Sequence, residues 1–191
     1  KYALMPSFSD NFNVETENNS ESVFAFQYSV NDGSNGANSA LGEAYNFPWD
    51  HGPVGCCGFF QPSSELVNSY RTDNSGLPLL SGAYNDPVNI VIDDDGKESD
   101  DNSFVEDTGN LDPRLDWTVG RRGIPYYDWG VHPGKAWIRN QTYGGPYSPK
   151  KNVYRKSQTG QYVDQSWPGG PLTANNYIMI RFADIILWLA E

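Results

Sequence analysis

Tyr177-Ile178-Met179-Ile180-Arg181-Phe182-Ala183-Asp184-Ile185-Ile186-Leu187-Trp188-Leu189-Ala190-Glu191 closes the sequence with apolar groups at nearly every position. Only Arg181, Asp184 and Glu191 carry charge. Read as one helix over 177–191, the segment is apolar on almost all sides, and such a helix needs neighbours on several of them. Arg181 and Asp184 stand i, i+3 and are expected to pair on the one polar stripe. The rest of the chain offers no second helix strong enough to cover it. The expectation is therefore that 177–191 begins a helix of a larger, mostly helical scaffold. The chain also opens without Met and stops inside this apolar stretch, so it reads as a piece of a longer protein. Lys1-Tyr2-Ala3-Leu4 does not open a charged-then-apolar leader. The terminal run is shorter than the roughly 20 apolar residues of a membrane span.

Upstream, regular structure is sparse. Ser22-Val23-Phe24-Ala25-Phe26-Gln27-Tyr28-Ser29 alternates as a strand, with Phe24, Phe26 and Tyr28 on one face. Ser63-Ser64-Glu65-Leu66-Val67-Asn68-Ser69-Tyr70 follows Pro62 and reads as a short helix with a Ser cap and an early acid. Val88-Asn89-Ile90-Val91-Ile92 has strand composition, and a further strand is expected at Trp117-Thr118-Val119. Residues 120–176 show no period, only turn residues and rings. The predicted fold is a mostly irregular, loop-rich α+β subdomain over 1–176, with a truncated scaffold helix at 177–191.

Composition narrows the function. The apolar fraction is 38% without glycine, low for a self-sufficient globular core, where roughly 45–50% is usual with glycine counted, and Gly and Pro together number 32 (19 and 13). With 24 acidic against 13 basic residues the net charge is −11, a field that repels phosphate backbones and anionic headgroups. Nucleic acid is therefore not an expected partner. Cys56 and Cys57 are adjacent, too close for an unstrained disulfide, and are expected as two thiols in a Gly-flanked loop. Asp93-Asp94-Asp95-Gly96-Lys97-Glu98-Ser99-Asp100-Asp101 lacks the register of an EF-hand, since the first and twelfth positions would be Val91 and Asn102. It reads as a solvated hairpin tip. His51 and His132 sit in no metal or nucleophile motif, so no catalytic residue, metal or cofactor is assigned.

Four segments in order resemble the SusD/RagB family of nutrient-binding lipoproteins from Bacteroidetes-type bacteria. They are Lys1-Tyr2-Ala3-Leu4 with Asn18 through Ser29, Pro62 through Tyr70, Leu111-Asp112-Pro113-Arg114-Leu115-Asp116-Trp117-Thr118-Val119, and Ile180 through Glu191. The resemblance implies an all-α scaffold of tetratricopeptide-type helix pairs in the full protein, with residues 1–176 as its loop-rich insertion. It further implies a non-enzymatic protein that binds oligosaccharide or polysaccharide at the cell surface and delivers it to a SusC-like TonB-dependent transporter. Its place would be the outer membrane, reached only through an N-terminal lipid anchor absent from this sequence. Two alternatives stand beside this: capture of peptides or glycoproteins by the same fold, or a structural lid on the transporter. The lid reading requires every Trp to be buried.

The family has no short motif for its glycan contacts, so candidate residues come from chemistry. Flat aromatic faces bury the C–H patches of sugar rings, and neighbouring polar groups bond the hydroxyls. Two loop regions fit. One holds Tyr45, Phe47, Trp49, Asp50, His51, Phe59 and Phe60; the other holds Tyr126, Tyr127, Asp128, Trp129, Trp137, Arg139, Asn140 and Tyr143. The candidate ligand-binding residues are Trp129, Trp49, Tyr126, Tyr127, Asp128, Trp137, Arg139 and Tyr45, led by Trp129 and Trp49. Arg114, behind Pro113, is expected to tie its loop to the scaffold through a planar fork.

Overall fold

The regular elements, in chain order, are β1 (Ser22–Phe26), α1 (Ser64–Asn68), α2 (Leu115–Thr118), β2 (Val119–Gly120), α3 (Gln141–Gly144), β3 (Ser148–Pro149), β4 (Val163–Asp164), β5 (Leu172–Thr173), β6 (Tyr177–Arg181) and α4 (Phe182–Ala190). The structure is a computed structural model and describes residues 1–40, 46–49, 57–164 and 171–191. Its longest element, α4, has 9 residues. The described residues thus form a loop-rich α+β chain, with no helical bundle between 57 and 164. Two units are distinguishable: residues 1–44 with 152–191, and residues 45–151.

In the first unit, β1 pairs antiparallel with β6, Ser22 opposite Arg181 and Phe26 opposite Tyr177. This corrects the expectation of one helix over 177–191. Tyr-Ile-Met-Ile is aromatic and β-branched at alternate positions and fits a pleated strand. The helix starts only after Arg181, whose backbone is extended (φ −102°, ψ 158°). Asp184 supplies the start signal: its Oδ2 accepts the Arg181 backbone N–H at 2.8 Å, the reach-back of an acid at the third helical position. Arg181 does not pair with Asp184 either. Its Nη1 donates to Oε1 of the buried Glu21 at 3.2 Å. Glu21 also takes the Met5 backbone N–H at 2.8 Å and the Asn11 amide at 3.2 Å. Asn176 closes the far end of the pair, accepting the Tyr28 N–H at 2.8 Å and donating to Gln27 Oε1 at 2.9 Å.

Leu187, Trp188 and Leu189 on α4 lie exposed at 66%, 59% and 87%. A contiguous apolar face of this kind drives association. The 191-residue chain produced alone should sediment as a dimer or larger species, and Leu187→Lys with Leu189→Lys should return it to monomer. A monomer before substitution would refute this.

In the second unit, Val67, Val91, Leu115, Val119 and Tyr147 form the core, with Tyr70 and Leu111 packed against it. Helix α1 forms as its cap predicts: Ser63 Oγ accepts the Leu66 N–H at 3.1 Å. At 117–119 a single helical turn precedes the strand, so only Val119 of the expected three is in β2, which pairs with β3. The strand expected at 88–92 does not form. Side chains satisfy its backbone instead. Asn68 Oδ1 and Asp107 Oδ2 accept the N–H groups of Val91 and Ile92 at 3.0 and 2.8 Å. Arg71 donates to the carbonyls of Asn89 and Ile90 at 2.8 and 3.2 Å, and to both oxygens of buried Asp107 at 2.9 and 2.6 Å. Arg114 folds back onto Asp112 with its side chain 61% exposed, and the tie within this unit is made by Arg71.

The acidic run is docked rather than solvated at its centre. Asp94 is 2% exposed, 3.9 Å from Arg122. Arg122 also bonds the carbonyls of Glu98, Ser99 and Asp101 at 3.0, 3.0 and 2.8 Å, and the Gly96 N–H reaches Gln141 Oε1 at 3.2 Å. Burial pushes the Asp94 carboxyl up to about 6 against the pull of Arg122. Cys57 is disulfide-bonded, correcting the expectation of a free thiol there; Cys56 lies outside the described residues.

Candidate functional site: an aromatic cleft around Arg139

Three short stretches of the second unit meet at one cleft. Trp49 is held by its backbone N–H on the Trp137 carbonyl at 3.0 Å, and Gly58 by its N–H on the Phe47 carbonyl at 2.8 Å. Gly58 has φ +62°, and a Cβ there would stand 2.9 Å from Arg139 Cβ and 3.0 Å from Trp49 Cβ. Only glycine allows both the conformation and the approach. That approach places the Arg139 guanidinium 4.6 Å from the Trp49 ring centre and 4.4 Å from that of Phe59. Cation–π attraction to both rings fixes its position. Arg139 Nη1 is further anchored on the Cys57 carbonyl at 2.7 Å.

The next residue, Asn140, caps α3 by accepting the Tyr143 N–H at 3.0 Å. This turn carries the Tyr143 ring into solvent, 91% exposed. Gln61 seals the floor, donating to the Gly145 carbonyl at 2.8 Å, and a Cβ on Gly144 would collide with it at 2.7 Å. The resulting cleft, about 340 Å³, is lined by Phe59, Phe60, Gln61, Arg139, Asn140 and Tyr143, with Gly58 and Gly144. That volume falls in the range of small-ligand sites. Among the described residues, Arg139 Nε and Nη2, Asn140 Nδ2, Gln61 Oε1 and the Tyr143 hydroxyl have no protein partner. Rings beside uncommitted donors and acceptors are the chemistry of polar, C–H-faced ligands.

The cleft draws on both sequence regions and divides the candidates. Arg139 lines it, with Phe59, Phe60, Asn140 and Tyr143, and Trp49 is outside the lining but holds Arg139 through its ring. Tyr126, at 0% exposure, has no surface for a ligand. Its hydroxyl bonds the Pro149 carbonyl, and its ring packs 5.8 Å from His132 and 5.7 Å from Trp137. Trp137 is half-buried and serves the cleft through its backbone carbonyl. Tyr127, Asp128 and Trp129 belong to a tight turn closed by Tyr126 N–H to the Gly130 carbonyl at 2.7 Å, outside the cleft lining. The Tyr127 hydroxyl donates to the Lys150 carbonyl at 2.9 Å. Tyr45, Asp50 and His51 lie outside the described residues. Gln61 was missed; its place after Gly58-Phe59-Phe60 was the available signal.

Behind this turn, His132 is buried and neutral. The Gly134 N–H reaches its Nδ1 at 3.1 Å, so the proton is on Nε2, which donates to Ser148 Oγ at 2.9 Å. Burial pushes the imidazole down to about 3, helped by the Lys150 charge. Among the described residues no His, Cys, Asp and Glu are grouped to hold a metal ion.

Residues 20–191 match the SusD family, and the chain belongs to it. Members of this family are in general glycan-binding proteins of nutrient uptake at the outer-membrane surface, working with SusC transporters and not as enzymes. The sequence matches no curated protein. No helix among the described residues is long and apolar enough to cross a membrane.

Proposed function

We propose that this chain is part of a lipid-anchored cell-surface protein that captures an oligosaccharide and delivers it to a SusC-like TonB-dependent transporter, without catalysis. Residues 1–176 are its loop-rich insertion, and the chain at 177–191 enters a tetratricopeptide-type scaffold. The observation carrying this reading is the cleft itself: exposed faces of Phe60 and Tyr143 beside the stacked Trp49–Arg139–Phe59 group and its uncommitted hydrogen-bonding atoms. Such a surface binds sugar rings by stacking and reads their hydroxyls by direct bonds. The lid alternative required every Trp to be buried, and Trp117 is exposed.

Calorimetry of the full-length protein against a panel of oligosaccharides tests the site. Trp49→Ala and Tyr143→Ala should each weaken the best ligand by about 1–3 kcal/mol, the scale of an interface hot spot. Trp129→Ala should cost less. Wild-type affinity in both cleft variants would show that the ligand binds elsewhere.

A further inference from the structure

Charge is unevenly distributed along the chain. From Trp129 to Val163 the sequence contains Lys135, Arg139, Lys150, Lys151, Arg155 and Lys156 and no Asp or Glu, although acids outnumber bases 24 to 13 overall. Arg71, Arg114, Arg121, Arg122 and Arg181 each face a carboxylate within ion-pair distance. Arg139 differs. Among the described residues it faces two aromatic rings and one carbonyl, and the cleft it lines contains no carboxylate.

Its orientation is specific. With Nη1 committed to the Cys57 carbonyl at 2.7 Å, the Nε–Nη2 edge remains, and that edge presents two parallel N–H groups. Two parallel donors match the two oxygens of a carboxylate, and such bidentate pairs are the strong ones. Cation–π contacts with Trp49 and Phe59 hold the guanidinium in place. The net charge of −11 does not set the field on an anion at this cleft, because Arg139, Asn140 and Tyr143 lie in the acid-free stretch 129–163 and exposed charges beyond about 8 Å are largely screened.

We infer that the glycan held in this cleft carries a carboxylate, a uronic-acid-type sugar whose acid group pairs with the Nε–Nη2 edge of Arg139. This rests on the cleft being the glycan site. The test is calorimetry of the full-length protein with oligomers of galacturonic, glucuronic and mannuronic acid, each beside its methyl ester. At least one acid should bind ten-fold or more tighter than its ester, with affinity falling as salt rises. Arg139→Gln should abolish that difference, and Arg139→Lys, which keeps the charge but loses the fork, should restore only part of it. Unchanged thermal melts of both variants would exclude misfolding as the cause. An ester that binds as tightly as its acid overturns the inference, as does the failure of all three acids. A sulfated oligosaccharide that outbinds every uronate also overturns it, in favour of sulfate. If neutral oligosaccharides bind with a Trp49→Ala-sensitive affinity while the acids do not, capture of glycans at this cleft stands and only the carboxylate falls. If neither kind binds, both fall.

Discussion

Replacing Arg71 with Met should lower the stability of the second unit by about 3–5 kcal/mol, the usual consequence of stranding one member of a buried ion pair. The guanidinium serves four acceptors at once: both oxygens of Asp107 and the carbonyls of Asn89 and Ile90. Asp107 in turn accepts the Ile92 and Gly109 N–H groups, each at 2.8 Å. Burial opposes the ionised form of Asp107, yet Arg71 and those amides hold its carboxyl down at about 2. A depressed carboxylate stabilises the fold above its unfolded value near 4 and loses that contribution as pH falls from there toward 2. Asp107→Asn should therefore destabilise at neutral pH and flatten the acid limb. The double variant should cost less than the two singles added, since both remove one network. Denaturant unfolding followed by tryptophan fluorescence reads all three, and a loss below about 1 kcal/mol for Arg71→Met would contradict the central role assigned to it.

A second large effect concerns two buried groups whose pH responses oppose each other. His132 sits at about 3, below an unfolded value near 6.5, so its contribution is full above 6.5 and declines as pH falls. Asp94 sits at about 6, above an unfolded value near 3.9, so its contribution is full below that value and declines as pH rises through 6. Between about pH 4 and 6 each state holds one proton on the pair, on Asp94 when folded and on His132 when unfolded, and their slopes cancel. The single variants should separate them. Relative to wild type, His132→Gln should gain about 2–3 kcal/mol of stability as pH drops from 6 to 4, and Asp94→Asn should lose a similar amount. Taking differences from wild type removes the other titrating groups, Asp93 included. Parallel pH profiles for all three proteins would mean that neither group titrates as its burial requires.

Local signals in the sequence were reliable where a short segment determines its own structure. The Ser63 cap specifies α1 from neighbours a few residues away; the alternation read over 22–29 marks β1, which forms only over 22–26, where β6 pairs with it. Val88 to Ile92 has every mark of a strand, but its polar backbone is claimed by Asn68, Arg71 and Asp107, and no local rule anticipates distant side chains. The same holds for Asp94, which reads as one of many solvated acids until Arg122 and Gln141 are seen to dock its loop. At the carboxyl end the missed boundary was legible: Asp184 three positions after Arg181 is a start signal, masked by the uniform hydrophobicity around it. For the site, residue chemistry singled out Arg139, which lines the cleft, and Trp49, which holds it, whereas Tyr126 has the same aromatic character and is buried. Ring type alone does not distinguish a platform from a packing group; backbone placement does.

The second unit departs from the first as one uninterrupted stretch, residues 45–151, while β1 and β6 clasp each other from opposite ends of the chain. Evolution therefore has a handle. A change of length between 44 and 152 alters the loop that the β1–β6 clasp closes, and each doubling of a closed flexible loop costs only about 0.6 kcal/mol.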